Sequence, residues 1–334
     1  MKNKKILIIG PAWIGDMIMA QTLFKLLKQR TPNLEIDVLA PAWTKPLLNR
    51  MPEVWEALSS PFGHGEFRLK ERYQLGVVLQ DRHYDQAIVL PNSHKSALIP
   101  WFAKVPCRTG WVGEMRYGLL NDIRPLDKKR LPLMIQRFIA LGLKRDEPFP
   151  AEFRQPELRI SESNLNTTLN GFSLSAQRPI LALCPGGEFG PSKQWPIAYY
   201  AEVAEAKLAE GWQVWLFGSV RDKFIADSIV SLVSGSIENL AGMTQLSEAI
   251  DLLSLASLVV TNDSGLMHIS AALQRPLVVL YGSTSPDFTP PLSAQAKILK
   301  LALSCSPCFR RHCLYGHHRC MEELTPNRVL ELAN

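Results

Sequence analysis

The chain has 334 residues, 46% of them hydrophobic, and a formal net charge of +6, which is enough for two ordinary domains with substantial cores. Its apolar runs, such as residues 6–9 and 277–281, are strand-sized, which excludes a membrane span of roughly 18–20 residues. Residues 1–170 carry 25 Lys and Arg against 17 Asp and Glu, and the remainder 12 against 14, so the basic character belongs to the first half. Such an asymmetry suits an anionic partner (a phosphorylated substrate, a membrane surface or nucleic acid), or a solvated face with a chance imbalance.

The chain opens "KKILIIGPAWIGDMIMAQTLFKLL". Residues 5–9 read as a buried strand, Gly10 as a tight turn, and from Asp16 the apolar residues Met17, Ala20, Leu23, Phe24 and Leu27 fall at helical spacing. The early Gly10-Pro11 and the lack of a small-residue cleavage site argue against a signal peptide, so a cytoplasmic protein is expected. The pattern G-x-x-x-x-G is followed by Asp16, where a P-loop places Lys. A carboxylate there repels phosphate. Two compatible roles remain: helix N-cap and catalytic base, with the helix dipole keeping the group ionised.

A strand is expected at residues 35–40, a short helix from 45, a helix over 67–82, a strand over 84–90 ending in Pro91-Asn92-Ser93, and a helix over 96–104. A loop-rich stretch, "CRTGWVGEMRYGLLNDIRPLD", precedes a helix at 133–141. Residues 144–178, rich in Pro, Ser, Asn and charge with one short helix, carry the domain boundary, set after residue 165. The rhythm then restarts: strands at 179–184, 212–217, 258–261 and 277–281, with helices at 197–210 and 246–254 and from 265 to 273. Alternating β and α elements imply parallel sheets with right-handed crossovers, hence an α/β protein of two doubly wound domains with a cleft between them. Ligands in such folds sit beyond the carboxyl ends of the strands.

In "VVTNDSGLMHISAAL" the first turn of a helix offers unpaired N–H groups and a positive dipole end to an anion. Gly265 admits close approach, Ser264 adds a hydroxyl, His268 offers a donor, and Asp263 is the expected cap; a well-capped helix with a packed histidine is the plainer reading. In "CPGGEFGPSKQWP", Ser192 and Lys193 precede a helix on the same sheet edge, where the lysine is a natural partner for a diphosphate.

The pieces "IIGPAWIGDM", "MPEVWEA", "LPNSHKSALIPW", "RTGWVGEMRYGLLND", "CPGGEFGPSKQWP" and "TNDSGLMHISAAL" run from end to end of the chain. Together they resemble the bacterial ADP-heptose:lipopolysaccharide heptosyltransferases, glycosyltransferase family nine, and in particular members that add the second inner-core heptose. The resemblance implies a GT-B fold of two Rossmann-like domains, the first (1–165) binding the acceptor and the second (166–334) binding ADP-heptose. It implies an inverting glycosyltransferase that moves L-glycero-D-manno-heptose onto the first heptose of the Kdo2-lipid A inner core, or a relative acting at another position or with another nucleotide sugar. Asp16 would be the general base, and Lys193, Asp263, Ser264, Gly265 and His268 the donor site, with Ser192 beside them. Asp222 and the "AGMT" backbone with Thr244 are candidates for the nucleoside, and Asn92, Ser93, Lys95 and Arg116 for the acceptor. The partners implied are ADP-heptose, heptosyl-Kdo2-lipid A and the inner face of the inner membrane.

Cys305, Cys308, Cys313 and Cys320 cluster with His312, His317 and His318. Their spacing is not that of a zinc ribbon, leaving a structural zinc or reduced thiols as readings, and the transfer requires no metal cofactor. A nucleic-acid binder is disfavoured, because the positive charge lacks aromatic interleaving and the cysteines lie in the other half. A catalytically silent nucleotide-sugar sensor would leave Asp16 with capping alone.

Overall fold

The computed structural model describes residues 4–63 and 65–333. The chain divides into two compact units, residues 1–156 and 157–334. The expected boundary after residue 165 would cut the helix Glu162–Gly171, which packs on the helix Leu246–Leu253 of the second unit.

In the first unit the strands are β1 (Lys5–Ile9), β2 (Glu35–Pro41), β3 (Glu56–Ser60), β4 (Gln86–Val89), β5 (Cys107–Trp111) and β6 (Asp122–Arg124). Its helices are α1 (Ile14–Arg30), α2 (Lys45–Leu48), α3 (Leu69–Gln80), α4 (Leu98–Phe102) and α5 (Met134–Gly142). The sheet is parallel, in the order β3-β2-β1-β4-β5-β6. Strand β1 has neighbours on both sides, so Ile6, Leu7, Ile8 and Ile9 are all buried and read as one apolar run. Helix α5 packs on α1 closely enough that a Cβ at Gly142 would fall 2.4 Å from Leu23 Cδ1.

The second unit holds α6 (Glu162–Gly171), β7 (Ile180–Cys184), α7 (Ile197–Ala209), β8 (Gln213–Leu216), α8 (Lys223–Leu232), β9 (Glu238–Asn239) and α9 (Leu246–Leu253). It continues with β10 (Leu258–Asn262), α10 (Gly265–Ala272), β11 (Leu277–Tyr281), β12 (Ala296–Lys300), α11 (Arg319–Glu322) and α12 (Pro326–Ala333). Its parallel sheet runs β12-β11-β10-β7-β8-β9. Counted from its own first strand, this repeats the topology of the first unit. In each, the strand order reverses between the first and fourth strands, the position where open α/β sheets bind ligands.

The sequence pattern missed β3, β6, β9 and β12, which are the four edge strands. An edge strand has one neighbour and needs no continuous apolar run; β12 has only half-buried and exposed residues, with no fully buried position. It also missed β5, whose buried centre is Thr109-Gly110 rather than a branched aliphatic pair.

Candidate active site

In the first unit, the turn after β1 leads directly into α1. Gly10 sits in tight packing: a Cβ there would lie 2.7 Å from the flexible Met17 Cε and 3.1 Å from Ala40 Cβ. Asp16 is the third residue of α1 and the acid of its first turn, whereas the N-cap is Trp13. The expected capping role therefore falls away, because the chain enters the helix two residues before the carboxylate. Asp16 instead lines a cavity of about 780 Å³ at the switch point of the sheet.

Asn92, Ser93 and Lys95, beyond the end of β4, line the same cavity. Exposed Trp13, Trp43 and Phe67 add aromatic surface to its wall. Arg72, His94 and Glu114 also line it and were not anticipated from the sequence. Buried Arg72 donates from Nη2 to Glu66 O (3.0 Å) and from Nη1 toward Lys95 O (3.4 Å), and its guanidinium lies 4.1 Å from the centre of the Phe62 ring. Burial lowers its pKa from the ordinary arginine value. Glu114 Oε2 accepts from the His94 backbone N–H at 2.8 Å.

Arg116 does not join this lining. It is fully buried, donating from Nη1 to Pro91 O (2.6 Å) and Ser96 Oγ (3.3 Å), and from Nη2 to Trp111 O. Desolvation pulls its pKa down to about 10, which still leaves it charged at neutral pH. The expected acceptor contact is thus a buried brace under the cavity, its planar fork satisfying strand-end carbonyls. Above it, Gly113 (φ +52°) is demanded by close approach: a Cβ would lie 2.3 Å from Asn92 O. The glycines of "GWVGEMRYG" were the signal for this brace.

In the second unit, Asn262 ties the ends of β7 and β10 together, accepting from Tyr200 OH (2.8 Å) and donating to Pro185 O (2.8 Å). The N-cap of α10 is Ser264, whose Oγ accepts from Met267 N–H at 3.4 Å. Asp263, expected as cap, is buried and paired instead: Lys193 Nζ donates to its Oδ2 (2.7 Å) and to its backbone O (3.0 Å). The ammonium also lies 4.9 Å from the Phe189 ring centre. Two of the three lysine donors are thereby engaged and the third is available for an incoming anion. Gly265 is the first residue of α10.

His268 is 4% exposed, and its Nδ1 is buried without a partner. Burial, opposed by Asp263 and assisted by Lys193, lowers its pKa to about 4. The ring is therefore neutral at physiological pH and can offer a phosphate a hydrogen bond but no charge.

Ser192 departs from expectation. It is buried, its Oγ lies 2.9 Å from Ser283 Oγ and 2.5 Å from Arg310 O, and its carbonyl lies 3.0 Å from His318 Nε2. Its hydroxyl clamps the segment that carries the cysteines beneath the Lys193 loop, and so is committed to protein partners. Asp222 Oδ2 accepts from Ser219 N–H (2.8 Å) and Oγ (2.7 Å) in a capping box before α8. A Cβ at Gly186 would strike the Asp222 carboxylate at 2.3 Å, so this glycine makes room for that side chain. Thr244 is half-buried, its Oγ1 3.5 Å from Leu240 O. Neither residue is brought against the Lys193–Asp263 pair by any direct bond among the described contacts.

The six cysteines are free. Among the described residues no three His, Cys, Asp or Glu side chains are arranged to hold a metal ion. Cys320 is buried under Gly282, and desolvation with the nearby thiols pushes its pKa up to about 11. Backbone N–H groups around Cys313, His318 first, lower the pKa of that exposed-side thiol.

Residues 72–318 match the profile of glycosyltransferase family 9 (heptosyltransferase). The chain is 50% identical to lipopolysaccharide heptosyltransferase 2 of Escherichia coli K12, over 99% of this chain and 97% of that protein. It is 47% identical to lipooligosaccharide heptosyltransferase 2 of Haemophilus influenzae, over 98% of each. The solved structure of E. coli ADP-heptose lps heptosyltransferase II superposes with a TM-score of 0.90 at 48% identity, covering 99% of this chain and 97% of that one.

Proposed function

The chain belongs to glycosyltransferase family 9, and on that footing we propose that it transfers L-glycero-D-manno-heptose from ADP-heptose to the first heptose of the Kdo2-lipid A inner core. The observation that carries this reading is full-length identity near one half with heptosyltransferase 2 proteins, joined to a carboxylate and a lysine at the two sheet switch points.

The roles divide by unit. In the first, Asp16 accepts the proton of the attacking acceptor hydroxyl, and the cavity holding Asn92, Ser93 and Lys95 receives the acceptor sugars. In the second, Lys193 and the N–H groups of the first turn of α10 hold the diphosphate, and neutral His268 adds a hydrogen bond. The acceptor oxygen bonds to the anomeric carbon as the bond from that carbon to the phosphate oxygen breaks. The electron pair leaves with ADP, and the configuration inverts through an oxocarbenium-like transition state. Lysine and helix N–H groups supply the charge stabilisation, so turnover is expected to survive prior chelation. Asp222 and Thr244 remain our candidates for the nucleoside.

None of the described helices is long and apolar enough to cross a membrane. With a lipid-borne acceptor and a basic first unit, the reading places the enzyme at the cytoplasmic face of the inner membrane. ADP release, measured with Kdo2-lipid A bearing one heptose and with Kdo2-lipid A bearing none, tests the assignment. Release confined to the heptosylated acceptor is the expected result. Release with the bare acceptor moves the protein to the first-heptose step, and release with neither refutes donor or acceptor.

A further inference from the structure

Helix α3 exposes an apolar stripe that the reaction does not use. Of its outward residues, Leu69 is 47% exposed, Tyr73 54%, Val77 40% and Val78 66%. Leu69, Tyr73 and Val77 are spaced four residues apart and so share one face, while Arg72, Gly76 and Leu79 face inward. The inward face is fixed: a Cβ at Gly76 would lie 2.4 Å from Phe102 Cβ, so α3 rests directly on α4. Tyr73 packs edge-on against Phe102 at 5.2 Å, and Phe102 against Trp101 at 5.0 Å, which carries the stripe onto the exposed Trp101 ring. At the N-terminal end of α3 the stripe meets Phe67, which is exposed and lines the cavity that holds Asp16.

We infer that this α3–Trp101 face seats the protein on an anionic phospholipid bilayer, an inference that rests on the lipid-borne acceptor proposed above. Four features select the bilayer. Aliphatic side chains beside a Tyr and a Trp make the mix that settles at the headgroup boundary. The stripe carries exposed Lys70 and Lys104, and Arg68 is already paired with Glu71 (3.1 Å). Lys128, Lys129 and Arg130 stand exposed in the loop before α5, whose Met134 and Phe138 line the same cavity. The unit as a whole, residues 1–156, has 24 Lys and Arg against 15 Asp and Glu, the sign that an anionic leaflet attracts. A second copy of this chain is the poorer occupant: a stable dimer takes about 800 Å² from each partner, more than five half-exposed side chains offer. Continuity with Phe67 gives the arrangement a purpose. An acceptor whose acyl chains stay in the bilayer presents its sugars at the lip of the cavity.

The test is co-flotation with phosphatidylethanolamine–phosphatidylglycerol vesicles, with no substrate present, against phosphatidylcholine vesicles. Wild type should float with the anionic vesicles and be released by salt. The double variant Tyr73→Ser/Val77→Ser should bind at least about tenfold more weakly, with a cooperative thermal unfolding transition retained, since both side chains are about half exposed. Lys70→Gln/Lys104→Gln should weaken binding to anionic vesicles alone. Turnover on a deacylated acceptor should be unchanged in both double variants, and turnover on a vesicle-embedded acceptor should fall. Equal flotation of Tyr73→Ser/Val77→Ser and wild type overturns the inference, as does a wild-type dimer in sedimentation that this variant dissociates while vesicle binding stays the same. Failure of the wild type to turn over either acceptor would instead fault the proposed function, because flotation is read without it.

Discussion

Lys193 Nζ lies 2.7 Å from Asp263 Oδ2, with the two side chains only 13% and 7% exposed. The lysine proposed to hold the diphosphate is thus fixed in place by a carboxylate in the loop before α10. The carboxylate fixes where the ammonium stands, and the ammonium allows the carboxylate to be buried beside the proposed phosphate site.

Removing one member of that pair strands the other. Lys193→Ala is expected to lose most turnover, to weaken ADP-heptose binding, and to destabilise the fold by about 3 kcal/mol. Lys193→Ala/Asp263→Asn should regain much of the stability and none of the turnover. Urea titration and ADP release on the three proteins check this; full turnover in the double variant would remove Lys193 from the phosphate site.

Asp16→Asn keeps the shape of the first turn of α1 and removes the proposed base. Turnover is expected to fall by about 10²–10⁴, with ADP affinity unchanged and a stability loss below about 1 kcal/mol from the altered helix dipole interaction. Calorimetric titration with ADP separates the roles: weakened ADP binding with retained turnover would place Asp16 elsewhere in the reaction.

The depressed pKa of His268 makes stability depend on pH. Unfolded, its imidazole titrates near 6.5; folded, near 4. Between these values the unfolded chain binds the extra proton, so the contribution is fully present above pH 6.5 and is lost as pH falls toward 4. It amounts to about 3 kcal/mol. Denaturation curves at intervals across that window should show the slope in wild type and a shallower one in His268→Gln. Parallel curves would mean that the ring is accessible to protons in the folded state.

Arg116→Met tests whether that guanidinium braces or binds. The carbonyls of Pro91 and Trp111 lose the guanidinium as a donor, Pro91 keeping only the longer bond from Ser96 Oγ (3.2 Å), with an expected cost of about 2–4 kcal/mol. The KM for acceptor should be unchanged at temperatures where the variant is folded. A large rise in KM with no loss of stability would return Arg116 to the acceptor contacts.

The fold class and the positions of the two switch-point loops were legible in the chain itself. Central parallel strands such as β1, β10 and β11 are buried on both faces, so their apolar runs announce them, and each loop after such a strand marks a ligand edge. Asp16 stood out because a carboxylate replaces the cation that a phosphate turn would carry. The edge strands β3, β6, β9 and β12 were not legible, because half-exposed strands impose no distinctive pattern.

Local sequence placed Lys193, Asp263, Ser264 and His268 at one sheet edge, yet could not say which polar group answers which. That was settled by contacts between segments far apart in the chain. Asp263 meets Lys193 across 70 residues, which leaves capping to Ser264. Ser192 meets Arg310 across 118 residues, which takes its hydroxyl out of the site. Arg116 lies 25 residues beyond Pro91 and looks like any exposed loop arginine until the strand ends close over it. A strand or helix is written in neighbouring residues, whose periodicity fixes its burial. The charge state and partner of a buried polar group depend on whatever the folded chain brings to within about 3 Å, and only the tertiary structure decides that.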